Sequence, residues 1–406
     1  MKKALQSIVL LGAATGAAQA ATSVTLYGLV DAGIGYTQTK VTQDATDYAP
    51  RSWSKVRDVG MVNGILNGNR WGLKGTEDLG NGTSAIFQLE SGFDLGNGKS
   101  AQGGRLFGRK AIVGLSGDSW GTLTLGRQYN VADDVVSGID PFGTGVLFAG
   151  ATDGAFGDSL SARMDNSFKY MSPEFGGFKF GLAYSGTHRK ETSDDGVVES
   201  EKRDTSNWIS TGLGYANGPI EAGLSYDRFR TDIRTVSNVS GQSVKSTSST
   251  HMWNLLGAYD FEVVKLHLGY GQIRGAAANV AGVTGVGLNG TLAGFTELAT
   301  GLNYTQTNGF RQQAWLAGLS APVGDSGTVL FSYQGNTSKN KADAFDGIKG
   351  KLNIFSLGYV QGLSKRTRVY AAASYGVGKM KFDEKYGIGN VKLKATLIGV
   401  GLQHRF

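Results

Sequence analysis

The 406-residue chain carries 40 lysines and arginines against 33 acids, and it contains 63 glycines, 5 prolines and no cysteine. The absence of cysteine excludes disulfide bonds and thiolate chemistry. The 16 tyrosines and 19 phenylalanines argue against a disordered chain, which would be poor in aromatic residues. Abundant glycine with little proline disfavours helices but keeps the backbone donors that a β-ladder needs. The basic excess does not indicate nucleic-acid binding, because the positive residues do not cluster beside an aromatic platform.

The first predicted element is a cleaved export signal over residues 1–20. Lys2 and Lys3 supply its charged start, an apolar stretch follows, and the sequence AQA at 18–20 fits the cleavage site. Cleavage would remove two lysines and lower the formal charge from +7 to +5. The mature chain, 21–406, has no apolar run of about 18 residues and therefore no transmembrane helix. An exported chain of this kind is periplasmic, secreted, or inserted in the outer membrane as a barrel.

The mature chain reads as sixteen amphipathic segments of roughly ten residues, separated by turns. In the first segment, Val24, Leu26 and Val30 alternate with Thr25 and Asp31. The segments are 23–37, 66–79, 83–94, 105–115, 120–128, 162–172, 177–187, 205–216, 219–230, 250–260, 263–274, 310–321, 326–337, 350–360, 367–378 and 392–406. An even number of strands lets both ends of a single-chain barrel lie on the same side of the membrane.

Short and long connections between these segments alternate strictly. The short connections are 80–82, 116–119, 173–176, 217–218, 261–262, 322–325 and 361–366. The long connections are 38–65, 95–104, 129–161, 188–204, 231–249, 275–309, 338–349 and 379–391. Tight turns at one end and extended loops at the other are typical of outer-membrane barrels. The sequence therefore predicts an all-β fold, a 16-stranded antiparallel transmembrane β-barrel that forms one domain.

In the last segment, apolar and polar residues alternate, as expected of a strand with lipid on one side and water on the other. Ile398, Val400, Leu402 and the terminal Phe406 share one face, opposite a polar face that includes Gln403. To leave no open edge, this segment must pair with the first segment, near Val24. Phe406 is thus predicted to close the barrel.

Charged residues within the segments indicate a water-filled interior, because Arg or Lys facing mid-bilayer lipid costs roughly 2–4 kcal/mol. In 66–79, Arg70 and Lys74 lie opposite Trp71 and Leu73. In 162–172, the expected inner face comprises Arg163, Asp165, Ser167 and Lys169. Between Arg127 and Arg163, the long connection carries aspartates but no lysine or arginine; they are Asp133, Asp134, Asp140, Asp153 and Asp158.

Several blocks together resemble the trimeric general diffusion porins of Gram-negative outer membranes, in particular their betaproteobacterial branch. The blocks are 23–33 (SVTLYGLVDAG), 70–80 (RWGLKGTEDLG), 108–115 (GRKAIVGL), 121–129 (GTLTLGRQY), 173–177 (PEFGG) and the terminal Phe406. The resemblance covers essentially the whole mature chain. It implies a sixteen-stranded barrel, a homotrimer, a third long loop (129–161) folded inward to narrow the channel, and a role for Phe406 as an assembly signal.

The resemblance also implies a pore constriction with a basic wall facing an acidic loop. The basic wall maps onto Arg70, Lys74, Arg109, Arg127 and Arg163, and the acidic side onto Asp133, Asp134 and Asp140. Arg109 has the parity of Val113 and Leu115, so alternation alone would place it toward lipid, and Arg127 raises the same question beside Leu125. A local bulge is one way to redirect such a side chain.

These features predict passive transport of ions and small hydrophilic solutes across the outer membrane, with no chemical step, cofactor or metal. The four histidines, His188, His251, His267 and His404, show no ligand spacing. Expected partners are other copies of the chain, outer-membrane lipid or lipopolysaccharide, and the solutes themselves. The main alternative is a barrel that acts mainly as a surface adhesin or ligand-binding protein through its long loops, and a barrel enzyme comes third. The mature charge favours anions, but the sequence leaves selectivity open.

Overall fold

The computed structural model describes residues 23–143, 145, 149–152, 154–194, 199–237, 243–275 and 307–406. The expected export signal and Asp153 lie outside the described residues. In the described part of the chain, no helix combines the length and apolar character that a membrane span requires.

Seventeen strands occur in the described residues, and all belong to one closed antiparallel sheet. Their bounds are β1 Ser23–Gln43, β2 Ser52–Asn63, β3 Arg70–Gly80, β4 Thr83–Gly92, β5 Lys110–Gly117, β6 Gly121–Tyr129, β7 Arg163–Met171, β8 Phe178–Asp194, β9 Glu199–Asn217, β10 Ile220–Ser237, β11 Ser243–Asp260, β12 Lys265–Gly275, β13 Phe310–Val323, β14 Gly327–Asn340, β15 Lys349–Gly362, β16 Thr367–Lys381 and β17 Val391–Arg405. From β3 onward each strand pairs with the next one in the chain, and β17 pairs with β1.

The predicted sixteen-stranded barrel is confirmed, because β2 and β3 are two parts of one wall strand. One edge of β1 pairs with β3 over 23–29 and with β2 over 32–43. Its other edge pairs with β17. β2 was expected to be loop. Its residues are exposed over almost its whole length, so it has no buried apolar face from which alternation could reveal it.

The two ends of the wall meet at Phe406. Its backbone N–H donates to Gly28 O at 3.1 Å, and the Gly28 N–H donates to Phe406 O at 3.0 Å. The Phe406 ring covers Gly28 so closely that a Cβ atom there would lie 2.3 Å from the ring. Glycine is therefore needed opposite the terminal ring.

The two faces of the wall differ as alternation predicts. In β17, Ile398, Val400 and Leu402 are 52%, 55% and 47% exposed, whereas Gln403 is fully buried. The exposed apolar side chains point outward, where the bilayer would cover them.

The connection between β6 and β7 folds into the barrel. It contains the short helix α1, Val131–Val135, and two 3₁₀ turns. Its backbone N–H groups donate to side chains of distant strands, with Val131 N bound to Ser210 Oγ at 2.9 Å and Ala155 N to Gln334 Oε1 at 3.1 Å. Since these acceptors belong to β9 and β14, the connection can reach both only from inside.

Candidate functional site

The inner face of β3 carries two of the expected basic residues. Arg70 begins the strand, and Lys74 follows on the same face with its Nζ 5.6 Å from the Tyr27 ring centroid. Gly72, between them, leaves room for Tyr27, since a Cβ atom there would lie 2.8 Å from Tyr27 Oη. Arg70 interacts electrostatically with Arg109 and Glu90 of the neighbouring wall.

Arg109 is bound to Glu90, a partner that the sequence reasoning missed. Arg109 Nε lies 2.7 Å from Glu90 Oε1, and the two side chains are only 12% and 7% exposed. Tyr27 Oη donates to the other carboxylate oxygen at 2.9 Å. Arg109 comes just before β5, so strand alternation does not govern its direction. Glu90 could have been found, because it shares the parity of Gln88 opposite Phe87 and Leu89.

Three cations surround the ring of Tyr129, the last residue of β6. Arg163 Cζ lies 4.4 Å from the ring centroid, and Arg109 Cζ and Lys110 Nζ each lie 5.9 Å from it. Arg163 Nη2 also donates to Tyr129 Oη. Cations are attracted to the electron-rich face of an aromatic ring. Tyr129 therefore holds like charges together that would otherwise repel one another.

Arg127 lies apart from this cluster. The β6–β7 register shifts between Gly126 and Gln128, so Arg127 occupies a bulge. Its guanidinium contacts Asp165, which Arg105 also binds at 3.0 Å, and its Nε donates to Gly108 O at 2.8 Å.

The prediction that Arg163, Asp165, Ser167 and Lys169 share one inner face is wrong. Asn166 has a φ of 50° and interrupts the alternation. Met164 is fully buried and packs with Val131 of the inward loop, on the same side as Lys169. Arg163 and Asp165 are therefore out of phase with Ser167 and Lys169.

The first two acids of the loop sit in α1. Asp134 Oδ2 lies 2.6 Å from Lys169 Nζ, which also donates to Tyr129 O at 3.1 Å. Asp133 accepts a hydrogen bond from Ser161 Oγ. Burial raises the pKa of the Asp133 carboxyl, and the Ser161 hydrogen bond opposes this rise. Asp133 approaches the basic cluster from the loop side, since Lys110 acts electrostatically on it, and Asp134 is paired with the neighbouring Lys169.

Asp140 has a different environment, because it is only 3% exposed. Its Oδ1 accepts from Phe142 N at 3.0 Å and its Oδ2 accepts from Ala151 N at 2.5 Å. The carboxylate thus closes the inward loop on itself.

The opposite inner wall holds the loop with uncharged side chains and one buried acid. Asn254 Nδ2 donates to Ser159 O at 3.2 Å, and Gln334 donates to Ala149 O. Asp227 accepts from Asn130 Nδ2 at 3.2 Å and from Trp208 Nε1 at 2.9 Å. Among the described residues, no group of three or more His, Cys, Asp or Glu is arranged to hold a metal ion.

Comparison with known proteins gives the following relatives. A family model described as Gram-negative porin matches residues 7–380. An outer membrane porin protein of Bordetella pertussis is 42% identical over 415 residues, which cover 100% of both chains. Outer membrane porin protein 32 of Delftia acidovorans is 31% identical over 381 residues, 92% of this chain and 89% of the relative. A solved anion-selective porin from Comamonas acidovorans has a TM-score of 0.59 and 24% identity, covering 95% of this chain and 100% of that one.

Proposed function

The chain belongs to the Gram-negative porin family and is an outer-membrane protein, and from this premise we propose that it forms a water-filled channel for passive diffusion of ions and small hydrophilic solutes. The observation that carries the proposal is the cluster of Arg109, Lys110 and Arg163 around Tyr129, which the acids of α1 approach from the inward loop. Charges held on opposite sides of a passage create a transverse field that orients dipolar solutes.

The proposed constriction has two sides. Its basic side consists of five cations, which are Arg70, Lys74, Arg109, Lys110 and Arg163. Arg127 lies next to this side, in the bulge of β6. Its acidic side comprises Asp133 and Asp134, while we assign Asp140 to holding the loop in shape. Nε of Arg70 and of Arg163 are buried without a hydrogen-bond partner among the described residues.

We propose that anions pass preferentially. The five cations of the basic side exceed the three carboxylates near them, which are Glu90, Asp133 and Asp134. A solute anion therefore meets a net positive wall at the narrowest part of the channel.

The test is the reversal potential of the channel in a planar bilayer under a salt gradient. Replacing Arg70→Ala or Arg163→Ala should reduce the preference for anions, since each removes one wall charge. Lys179→Ala is the matched control, because Lys179 is an exposed cation at the short-turn end of β8 and should leave selectivity unchanged. Unchanged selectivity in both arginine variants would remove these residues from the constriction. An electrically silent barrel would instead favour the alternative function, ligand binding through the long loops.

We also propose that the protein assembles as a homotrimer and that Phe406 is needed for its assembly. Phe406 closes the sheet against Gly28, so its deletion should lower the yield of inserted, heat-resistant oligomer by far more than it changes selectivity. Oligomer yield is read by gel mobility with and without heating, and selectivity by reversal potential. Wild-type yields after the deletion would contradict this role.

A further inference from the structure

The outer face of the barrel carries a row of basic residues on seven consecutive strands. Each residue is the register partner of the next, from β10 to β16: Arg228, His251, Arg274, Arg311, Lys339, Lys349 and Lys381. We call these seven residues the basic row. The seven residues lie on seven different strands, and the register brings them side by side.

The basic row faces outward at the end of the barrel that carries the long connections. On the same faces, Leu255 of β11, Phe355 of β15 and Tyr375 of β16 are 51%, 47% and 41% exposed. The residues that flank His251, which are Thr250 and Met252, are 0% and 2% exposed and point inward. The row therefore borders the apolar belt, with exposed aromatic residues between the two.

Like charges directly opposite each other on neighbouring strands destabilise a sheet. Arg274 faces Arg311, and Lys349 lies between Lys339 and Lys381. Within the described ranges, no member of the row forms an ion pair with a carboxylate. The sequence 276–306, which joins β12 to β13, contains a single acid, Glu297. The ion pairs of the described residues thus leave the row without a carboxylate partner.

A cleft of about 510 Å³ opens on this face between β10 and β13. Its walls include His251, Arg274 and Arg311, with Trp253 as an aromatic side. His251 is held by Tyr226 Oη at 2.8 Å and Ser249 Oγ at 3.1 Å. Next to it in register, Nε of Arg228 is buried without a hydrogen-bond partner in the described part of the chain. Several donors therefore converge beside an aromatic surface.

We propose that the basic row binds the phosphate groups of an anionic lipid in the outer leaflet, with the acyl chains lying on the apolar belt beside it. Arginine matches phosphate oxygens with two donors, and lysine supplies a point charge. At about 4.8 Å per strand the row is roughly 29 Å long, which is far longer than one phosphate ion and suits an array of lipid headgroups. This inference depends on the outer-membrane location and not on the channel's conductance.

The test measures lipid binding to the purified, folded protein in neutral detergent by native mass spectrometry. The probes are bisphosphorylated lipid A, zwitterionic phosphatidylcholine and inorganic phosphate. The variant R274Q/R311Q/K349Q removes three charges of the row. Since each cation near an anionic surface contributes several-fold in affinity, we expect the variant to lose at least about tenfold in lipid A affinity. The matched control K179Q/K365Q/R366Q removes three exposed cations at the opposite end and should bind lipid A like the wild type.

Each outcome decides the proposal. Equal affinity of the row variant and the wild type overturns it, and so does an equal loss in both triple variants, which would show unspecific attraction to positive charge. Displacement of lipid A by inorganic phosphate at similar affinity would identify a soluble-phosphate site and also overturn it. Heat-dependent gel mobility checks that each variant is folded. If the triple variant does not fold, Arg274→Gln and Lys349→Gln are tested singly, and each must weaken lipid A binding.

Discussion

The barrel wall carries cations on both faces, but the protein treats the two faces differently. On the inner face, Arg109 is bound to Glu90 and Lys169 to Asp134. On the outer face, the six arginines and lysines of the basic row have no carboxylate partner among the described residues. Inside, burial makes an unpaired charge costly, and for Arg109 and Lys169 the chain itself provides the counter-charge. Outside, the side chains reach the membrane surface, where another molecule can provide it.

The largest effect is expected from breaking the inner pair at Glu90. The substitution Glu90→Gln leaves the Arg109 guanidinium with little exposure and no carboxylate. Removing one partner of a buried ion pair costs about 3 kcal/mol. We expect a loss of that order in the free energy of unfolding, measured by urea denaturation in vesicles, together with a stronger preference for anions.

The matched control for this substitution is Glu201→Gln. Glu201 also bridges two cations, Lys190 and Arg203, but on an exposed part of β9. Exposed ion pairs contribute little to stability, so this variant should unfold like the wild type. An equal loss of stability in both variants would contradict the claim that the buried Glu90 pair contributes more to stability than the exposed Glu201 pairs.

A smaller effect is expected at the pair that ties α1 to β7. The substitution Asp134→Asn weakens the contact with Lys169, whose side chain is 8% exposed, while Asp134 is 27% exposed. Loss of a hydrogen bond between charged groups costs about 1.5 kcal/mol. The inward loop should become less firmly held, which single-channel recordings would show as greater open-channel noise. Noise at the wild-type level would mean that the buried acceptors of β9 and β14 hold the loop without this pair.

The sequence predicted the number of wall strands and the two classes of connection because a lipid–water wall imposes a two-residue period on every strand. It failed where that period is absent or broken. β2 is exposed on both faces, and Asn166 and the bulge at Arg127 shift the phase of neighbouring residues. For the candidate site, strand alternation alone placed Arg70 and Lys74 on the inner face. The same alternation could have placed Glu90 there. The environment of Asp140 depends on loop geometry, and a loop lacks the two-residue alternation from which the direction of a side chain can be predicted.

The basic row was not predictable for a different reason. Register is a property of two strands, and no single segment shows which residue of the next strand will lie opposite it. Arg311 and Lys339 are separated by a whole hairpin in the sequence, yet they are direct partners in the sheet. A repeated like-charge contact of this kind becomes visible only in the folded barrel.

The smallest effect is expected on the outer face, and its sign is opposite to that of the inner substitutions. Lys349 has a cation on each side, Lys339 and Lys381, so Lys349→Gln should relieve repulsion and stabilise the barrel by about 0.5 kcal/mol. The gain should be seen as a higher unfolding temperature in neutral detergent at low ionic strength, and it should shrink as added salt screens the charges. Lys179→Gln, which removes an exposed cation at the other end of the barrel, should produce no such salt-dependent gain. Destabilisation by Lys349→Gln in neutral detergent would show that the row is already neutralised by the protein itself, and it would remove the contrast between the two faces of the wall.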